Sequence, residues 1–348
     1  MTTTTRRKVG IAGAIVGAAS AGVAGLALAK RLAVGRIRLR PDAEASEPFG
    51  ELRGRERTLT TSDGVDLHVQ VDGPEDAPLT IVFCHGYCLN LESWHYQRRD
   101  LREDYRIVLW DQRSHGRSQR AAAEDSTIDR LGDDLAEVLE RFVPGPCVLV
   151  GHSMGGMTIM ALADRHPELF GEKIRAVCLM ATSAGKLAEL TLGLPAVVSK
   201  AVHKVAPGTI SLLGRRGGSL IDKTRHAGSD IAFLITRLIG FGDSKNVSPT
   251  LVDFAESMIR ATPTEVFANF YPALMNHDKL SALHVLDPVP TAILVGDKDW
   301  LTPPDHGRAM AEALPKASFT EVPDTSHLIQ LERPAVVNEA LRDLIKEV

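Results

Sequence analysis

Cys147-Val148-Leu149-Val150-Gly151-His152-Ser153-Met154-Gly155-Gly156 runs from four apolar residues through a glycine-flanked serine into a helical pattern. Its reading as strand, sharp turn and helix decides the fold. Gly151 to Gly155 fits G-x-S-x-G, a weak pattern by itself in a chain with 29 glycines. Its position carries the weight. A serine on a tight strand-to-helix turn is lifted out of the sheet, and glycines beside it remove side chains that would collide there. The helix starting at Met154 points its unpaired amides and positive dipole end at the serine oxygen.

Outward from this stretch, Thr58–Thr61 and Val65–Val71 flank Ser62-Asp63-Gly64 and read as a hairpin with alternating apolar positions. Strands then follow at Thr80–Cys84, Arg106–Trp110, Cys147–Val150 and Ile174–Met180. Helical periods separate them near Glu92–Arg102 and at Ile128–Phe142 and Met154–His166. This alternation predicts an α/β fold, with a mostly parallel sheet, right-handed crossovers and helices on both faces. Over residues 186–283 the alternation stops. Helical periods at Ile231–Ile239, Thr250–Ile259 and Thr264–Leu274, and a break at Gly214-Arg215-Arg216-Gly217-Gly218, read there as an inserted helical cap. The pattern resumes with strand Thr291–Val295, helix Asp305–Leu314, strand Ser318–Val322 and helix Pro334–Ile345. The expected division is an N-terminal segment at 1–40, a linker at 41–57, a core at 58–185 and 284–348, and the cap at 186–283.

A serine hydroxyl is a poor nucleophile until a base takes its proton, and the base needs an acid to hold its tautomer. Strand Thr291–Val295 runs into Gly296-Asp297-Lys298-Asp299, and strand Ser318–Val322 runs into Pro323-Asp324-Thr325-Ser326-His327. Of 12 histidines, His327 is the one in a loop after a late strand. The candidate triad is Ser153, His327 and one of the two aspartates.

These motifs resemble the α/β-hydrolase superfamily over about residues 58–348. The family's G-x-x-D-x-x-x-P is matched by Gly296, Asp299 and Pro303, so the resemblance implies Asp299 rather than Asp297. Its S/G-H-x-x-x-x-E-x-P ending is matched by Ser326, His327, Glu332 and Pro334. The H-G-x motif is matched by His85-Gly86-Tyr87, which implies an oxyanion hole made by the backbone N–H groups of Tyr87 and Met154. Asp111 to Ser118 match D-x-R-G-x-G-x-S except that Ser114 replaces a glycine, a departure in a structural turn. His85, Gly86, Gly151 and Gly155 support the motifs. His85 and His152 read as packing neighbours, Asp111 as fixing its turn, and Trp94 and Trp300 as pocket lining or core.

Relatives that open epoxides or remove halide use an aspartate where this chain has Ser153, which largely excludes both reactions. A serine implies acyl transfer through an acyl-enzyme, with a carboxylic ester as the expected small-molecule substrate. Carbon–carbon hydrolysis, thioester hydrolysis or cofactor-free perhydrolysis is the alternative on the same triad, and a non-catalytic membrane-tethered binding protein is a third. No motif calls for a cofactor or a metal. Phe233, Phe241, Phe254, Phe267 and Phe270 either line an apolar acyl pocket or fill the cap's own core.

The composition is that of a globular chain: 348 residues, 44% hydrophobic and 24% charged. The net charge of −4 divides unevenly, because residues 1–40 carry eight basic and no acidic side chains, leaving −12 on the rest. So acidic a body argues against a nucleic-acid partner. Val9 to Ala29 is uncharged and Ala/Gly-rich, long enough as a helix to span a bilayer, with a Gly13-x-x-x-Gly17 spacing for close packing. The five basic residues from Lys30 to Arg40 favour an anchor with a cytoplasmic body. A cleaved signal, with Arg6-Arg7 and the Ala27-Leu28-Ala29 site, is the alternative. A Rossmann reading of Val9 to Gly13 is set aside, since the spacing is not G-x-G-x-x-G. Cys84, Cys88, Cys147 and Cys178 read as reduced and buried. Membrane association and an apolar cap together suggest a lipophilic, lipid-derived ester.

Overall fold

The computed structural model describes residues 34–189 and 229–348. Its strands are β1 (Arg55–Thr60), β2 (Asp66–Asp72), β3 (Thr80–Cys84), β4 (Arg106–Trp110), β5 (Cys147–His152), β6 (Ile174–Met180), β7 (Thr291–Gly296) and β8 (Ser318–Val322). They form one sheet in the order β1-β2-β4-β3-β5-β6-β7-β8. β2 pairs antiparallel with both β1 and β4, and the six strands from β4 to β8 run parallel. Every residue of β3 and β5 is buried, as befits apolar runs covered on both faces. β1, at the edge, keeps Arg55, Glu56 and Arg57, charges that discourage further strand pairing.

The longer helices are α1 (His95–Leu101), α2 (Ile128–Phe142), α3 (Met154–Arg165), α4 (Ser229–Gly240), α5 (Pro249–Ala261), α6 (Thr264–Met275), α7 (Pro304–Ala313) and α8 (Pro334–Lys346). Alternation along the strands sends Val82 and Leu149 to one face with α2, α3 and Met310 of α7. Ile81, Phe83 and Val148 go to the other face with Leu101 of α1 and Leu341 of α8. α3 lies so close under β3 that a Cβ on Gly155 would strike the backbone carbonyl of Cys84. Gly155→Ala is therefore expected to cost about 1–3 kcal/mol in urea denaturation. Gly145→Ala, whose Cβ would meet only the Pro78 carbonyl at 3.9 Å, serves as the near-neutral control.

The stretch expected to be a linker is packed, and the first strand starts at Arg55 rather than Thr58. Residues 34–38 are helical and bury Val34 and Ile37 in a cluster with Phe233, Phe241 and Val252 of the cap. Phe49 stacks on Phe254 with ring centroids 4.6 Å apart. Asp42 accepts hydrogen bonds from the Ser248 hydroxyl and from the Thr250 amide and hydroxyl where α5 begins. Tyr96 donates to Glu44, and His95 and Arg99 donate to Glu47, which ties the same stretch to α1.

The expected membrane-associated location, with its cytoplasmic body, is corrected. No helix among the described residues is long and apolar enough to cross a membrane. Residues 9–29, on which both the anchor and the signal readings rest, lie outside the described residues. The charge argument fails for a physical reason. Arg38 is held by the protein's own acids, 2.7 Å from Asp253 and 3.9 Å from Asp230, with its guanidinium 4.9 Å from the Phe233 ring centroid. Arg40 donates to the Lys245 carbonyl at 2.6 Å. These cations bind the cap.

Candidate active site

Strand register does the positioning. Cys84 of β3 lies opposite Gly151 of β5, so the turn carrying His85, Gly86 and Tyr87 ends beside the turn carrying Ser153. Gly296 of β7 lies opposite Val322 of β8, which sets the loop of Asp299 beside that of His327. All four loops leave the carboxyl ends of parallel strands, and the strand order reverses between β3 and β5, the place where open α/β sheets receive ligands.

Ser153 adopts φ 53° and ψ −117°, a conformation an L-residue holds only when its surroundings force it. Its hydroxyl lies 3.0 Å from His327 Nε2, and His327 Nδ1 lies 2.9 Å from Asp299 Oδ2. The Leu301 and Thr302 amides donate to Asp299 Oδ1 at 2.8 and 3.0 Å, and the Thr302 hydroxyl donates to Oδ2 at 2.7 Å. Burial works to raise the Asp299 pKa. The facing imidazole and the Thr302 donors outweigh it and hold the carboxyl below its usual range. Asp297 is turned elsewhere, accepting the Thr325 amide at 3.1 Å. Among the described residues, neither the Tyr87 amide nor that of Met154, the first residue of α3, donates to a protein acceptor. Hydroxyl, imidazole and carboxylate stand in the order that activates a serine oxygen, with two free amides beside it.

A model of the alpha/beta hydrolase family matches residues 81–340. The chain belongs to that family. It is 27% identical over 291 residues to a 3-oxoadipate enol-lactonase of Acinetobacter baylyi, covering 83% of this chain and 97% of that one. It is 26% identical over 300 residues to a proline iminopeptidase of Pestalotiopsis fici, covering 82% and 98%. A thermophilic esterase from Thermogutta terrifontis superposes with a TM-score of 0.65 at 24% identity, over 84% of this chain and 99% of that one, a likeness of fold.

Several residues within the motifs of this α/β hydrolase support the site through contacts that the motif spacing does not specify. His152 Nε2 lies 2.8 Å from the His327 carbonyl, which can only accept, so Nε2 holds the proton. Burial, with His327 facing it, pushes His152 down to about 3 and keeps it neutral. His85 accepts from the Gln112 amide through Nε2 and donates through Nδ1 to the Gly86 carbonyl, bracing the Tyr87 turn; burial pushes it down to about 3 as well. The Tyr87 hydroxyl donates to the Phe267 carbonyl at 2.6 Å, joining that turn to the cap. Glu332 accepts amides from Ser326, Gly242 and Asp243 and so joins the His327 loop to the end of α4. Asp111 holds its turn by accepting the Leu91 and Arg117 amides, and burial raises its carboxyl to about 6.

Above Ser153 and His327 lies a cavity of about 660 Å³. Of the five cap phenylalanines, Phe267 lines it; Phe233 and Phe241 are buried in the cluster with residues 34–38, Phe254 packs against that cluster, and Phe270 is buried against α2 and α3. The wall is instead supplied by Ile231, Ile235 and Ile239 of α4, with Ile259, Leu274 and Leu328. Trp94 is buried in the core and Trp300 is exposed, so neither lines the cavity. All four cysteines are buried and in no disulfide among the described residues, and burial pushes Cys84, Cys147 and Cys178 up to about 12.

Proposed function

We propose that this α/β hydrolase is a serine esterase acting on lipophilic carboxylic esters. Ser153 attacks the ester carbonyl as His327 takes its proton, and the Tyr87 and Met154 amides receive the oxyanion. His327 then protonates the leaving alcohol. A water deprotonated by the same imidazole releases the acid from Ser153, while Asp299 holds the ring and steadies its charge. The observation that carries this reading is the linked hydroxyl, imidazole and carboxylate at the base of an apolar cavity of ligand size. That relatives include proteins named for a lactone and for a peptide supports carbonyl chemistry on the same machinery.

Each methylene buried against the isoleucine wall stabilises the bound acyl chain by about 0.8 kcal/mol, a factor of about four. In a p-nitrophenyl series from acetate to laurate, kcat/KM is expected to rise by up to about that factor per methylene until the cavity is filled. A flat or falling profile would overturn the lipophilic class. A protein left unlabelled by a fluorophosphonate would overturn the serine mechanism.

A further inference from the structure

Two charges stand in the wall of this otherwise apolar cavity. Glu256 and Arg260 lie one turn apart on α5, and apart from the histidines they are its charged lining residues among those described. The Glu256 side chain is 6% exposed and that of Arg260 is 35% exposed, with Arg260 Nε 3.3 Å from Glu256 Oε2. Glu256 thus faces the Nε edge of the guanidinium as an ion pair, without a hydrogen bond to it. The two terminal nitrogens of Arg260 donate to no acceptor among the described residues.

A filled cavity has to reckon with those donors. An alkyl chain lying over Arg260 strips water from a cation and returns no hydrogen bond, which weakens binding. A carboxylate at the same place takes two charge-assisted bonds in the fork geometry that a guanidinium offers and an ammonium does not. We infer that Arg260 is a specificity-determining residue for a carboxylate at the far end of the acyl chain, so that the preferred substrates are esters of ω-carboxylated, otherwise apolar acids. This rests on the esterase reading above and narrows its substrate class.

The test compares mono-p-nitrophenyl esters of linear dicarboxylic acids, succinic to sebacic, with methyl-ended esters of equal chain length. In the wild-type protein the ratio of kcat/KM, carboxylated over methyl-ended, is expected to exceed one for at least one length. Arg260→Gln lowers that ratio at least tenfold, through KM rather than kcat, and Arg260→Lys recovers part of it. A ratio below one at every length, or one unchanged by Arg260→Gln, overturns the inference. Calorimetric titration with free suberate and sebacate separates this failure from failure of the esterase reading. Binding that is lost in Arg260→Gln upholds the carboxylate site even where neither ester series turns over. Absent binding, or equal binding in both proteins, overturns it.

Discussion

Alanine at position 153 is expected to lower kcat on p-nitrophenyl butyrate by about a million-fold and to abolish fluorophosphonate labelling, with the fold intact. The hydroxyl it removes meets the His327 ring, and no backbone hydrogen bond of the turn depends on it. The Tyr87 and Met154 amides and the cavity stay in place, so a residual acceleration of about a thousand-fold over water should persist. Ser153→Gly separates chemistry from strain. It shares the loss of the hydroxyl, yet glycine tolerates φ 53° where alanine does not. It is expected to unfold about 1 kcal/mol later than Ser153→Ala in urea. Label that survived Ser153→Ala would move the nucleophile elsewhere, and the rival is Ser183, whose Oγ lies 2.7 Å from His306 Nδ1. That hydroxyl already donates to the Gly185 carbonyl at 2.6 Å, and Ser183 does not line the cavity. It is the weaker candidate on both counts.

The parts of this molecule legible from sequence are those where local chemistry and long-range placement coincide. β3 and β5 bury both faces, so they are written as unbroken apolar runs, and the residues just past their ends are the ones that reach the site. Ser153, Asp299 and His327 can be named as candidates because parallel strands deliver all three to one edge. Asp297 and Asp299 are separated only by motif resemblance; in the structure Asp299 faces the His327 imidazole, with the Leu301 and Thr302 amides on its other oxygen. The cap was harder to read. A helix face directed into a cavity has the same period as one directed into a core, so nothing in their spacing distinguished Ile231, Ile235 and Ile239 from Phe233 and Phe241. The basic residues near position 40 were misread for a related reason. Arg38 finds Asp253, 215 positions away, a partner that no local charge count can see.

Asp299→Asn is expected to lower kcat by about ten-thousand-fold while the protein folds as before. The argument lies in the donors around that carboxylate. Two amides, from Leu301 and Thr302, converge on Oδ1, so the carbonyl oxygen of an asparagine must take that position. Its NH₂ group is then placed at Oδ2, 2.9 Å from His327 Nδ1. An NH₂ group there donates to Nδ1 and forces the ring proton onto Nε2. With Nε2 protonated, the imidazole donates toward Ser153 Oγ and has no lone pair to take its proton. The wild-type carboxylate does the reverse, and being held below its usual range it stays ionised further into acid than a free aspartate. Its stabilising contribution is therefore full above the unfolded pKa and fades only as the pH falls through the lower, folded value. Asparagine removes this acid-range dependence together with the activity. A kcat within tenfold of wild type would mean that the imidazole can find its tautomer without Asp299. A loss of kcat far larger than the accompanying loss of stability in urea at neutral pH, in a protein that remains folded, places the effect in the proton's location rather than in the fold.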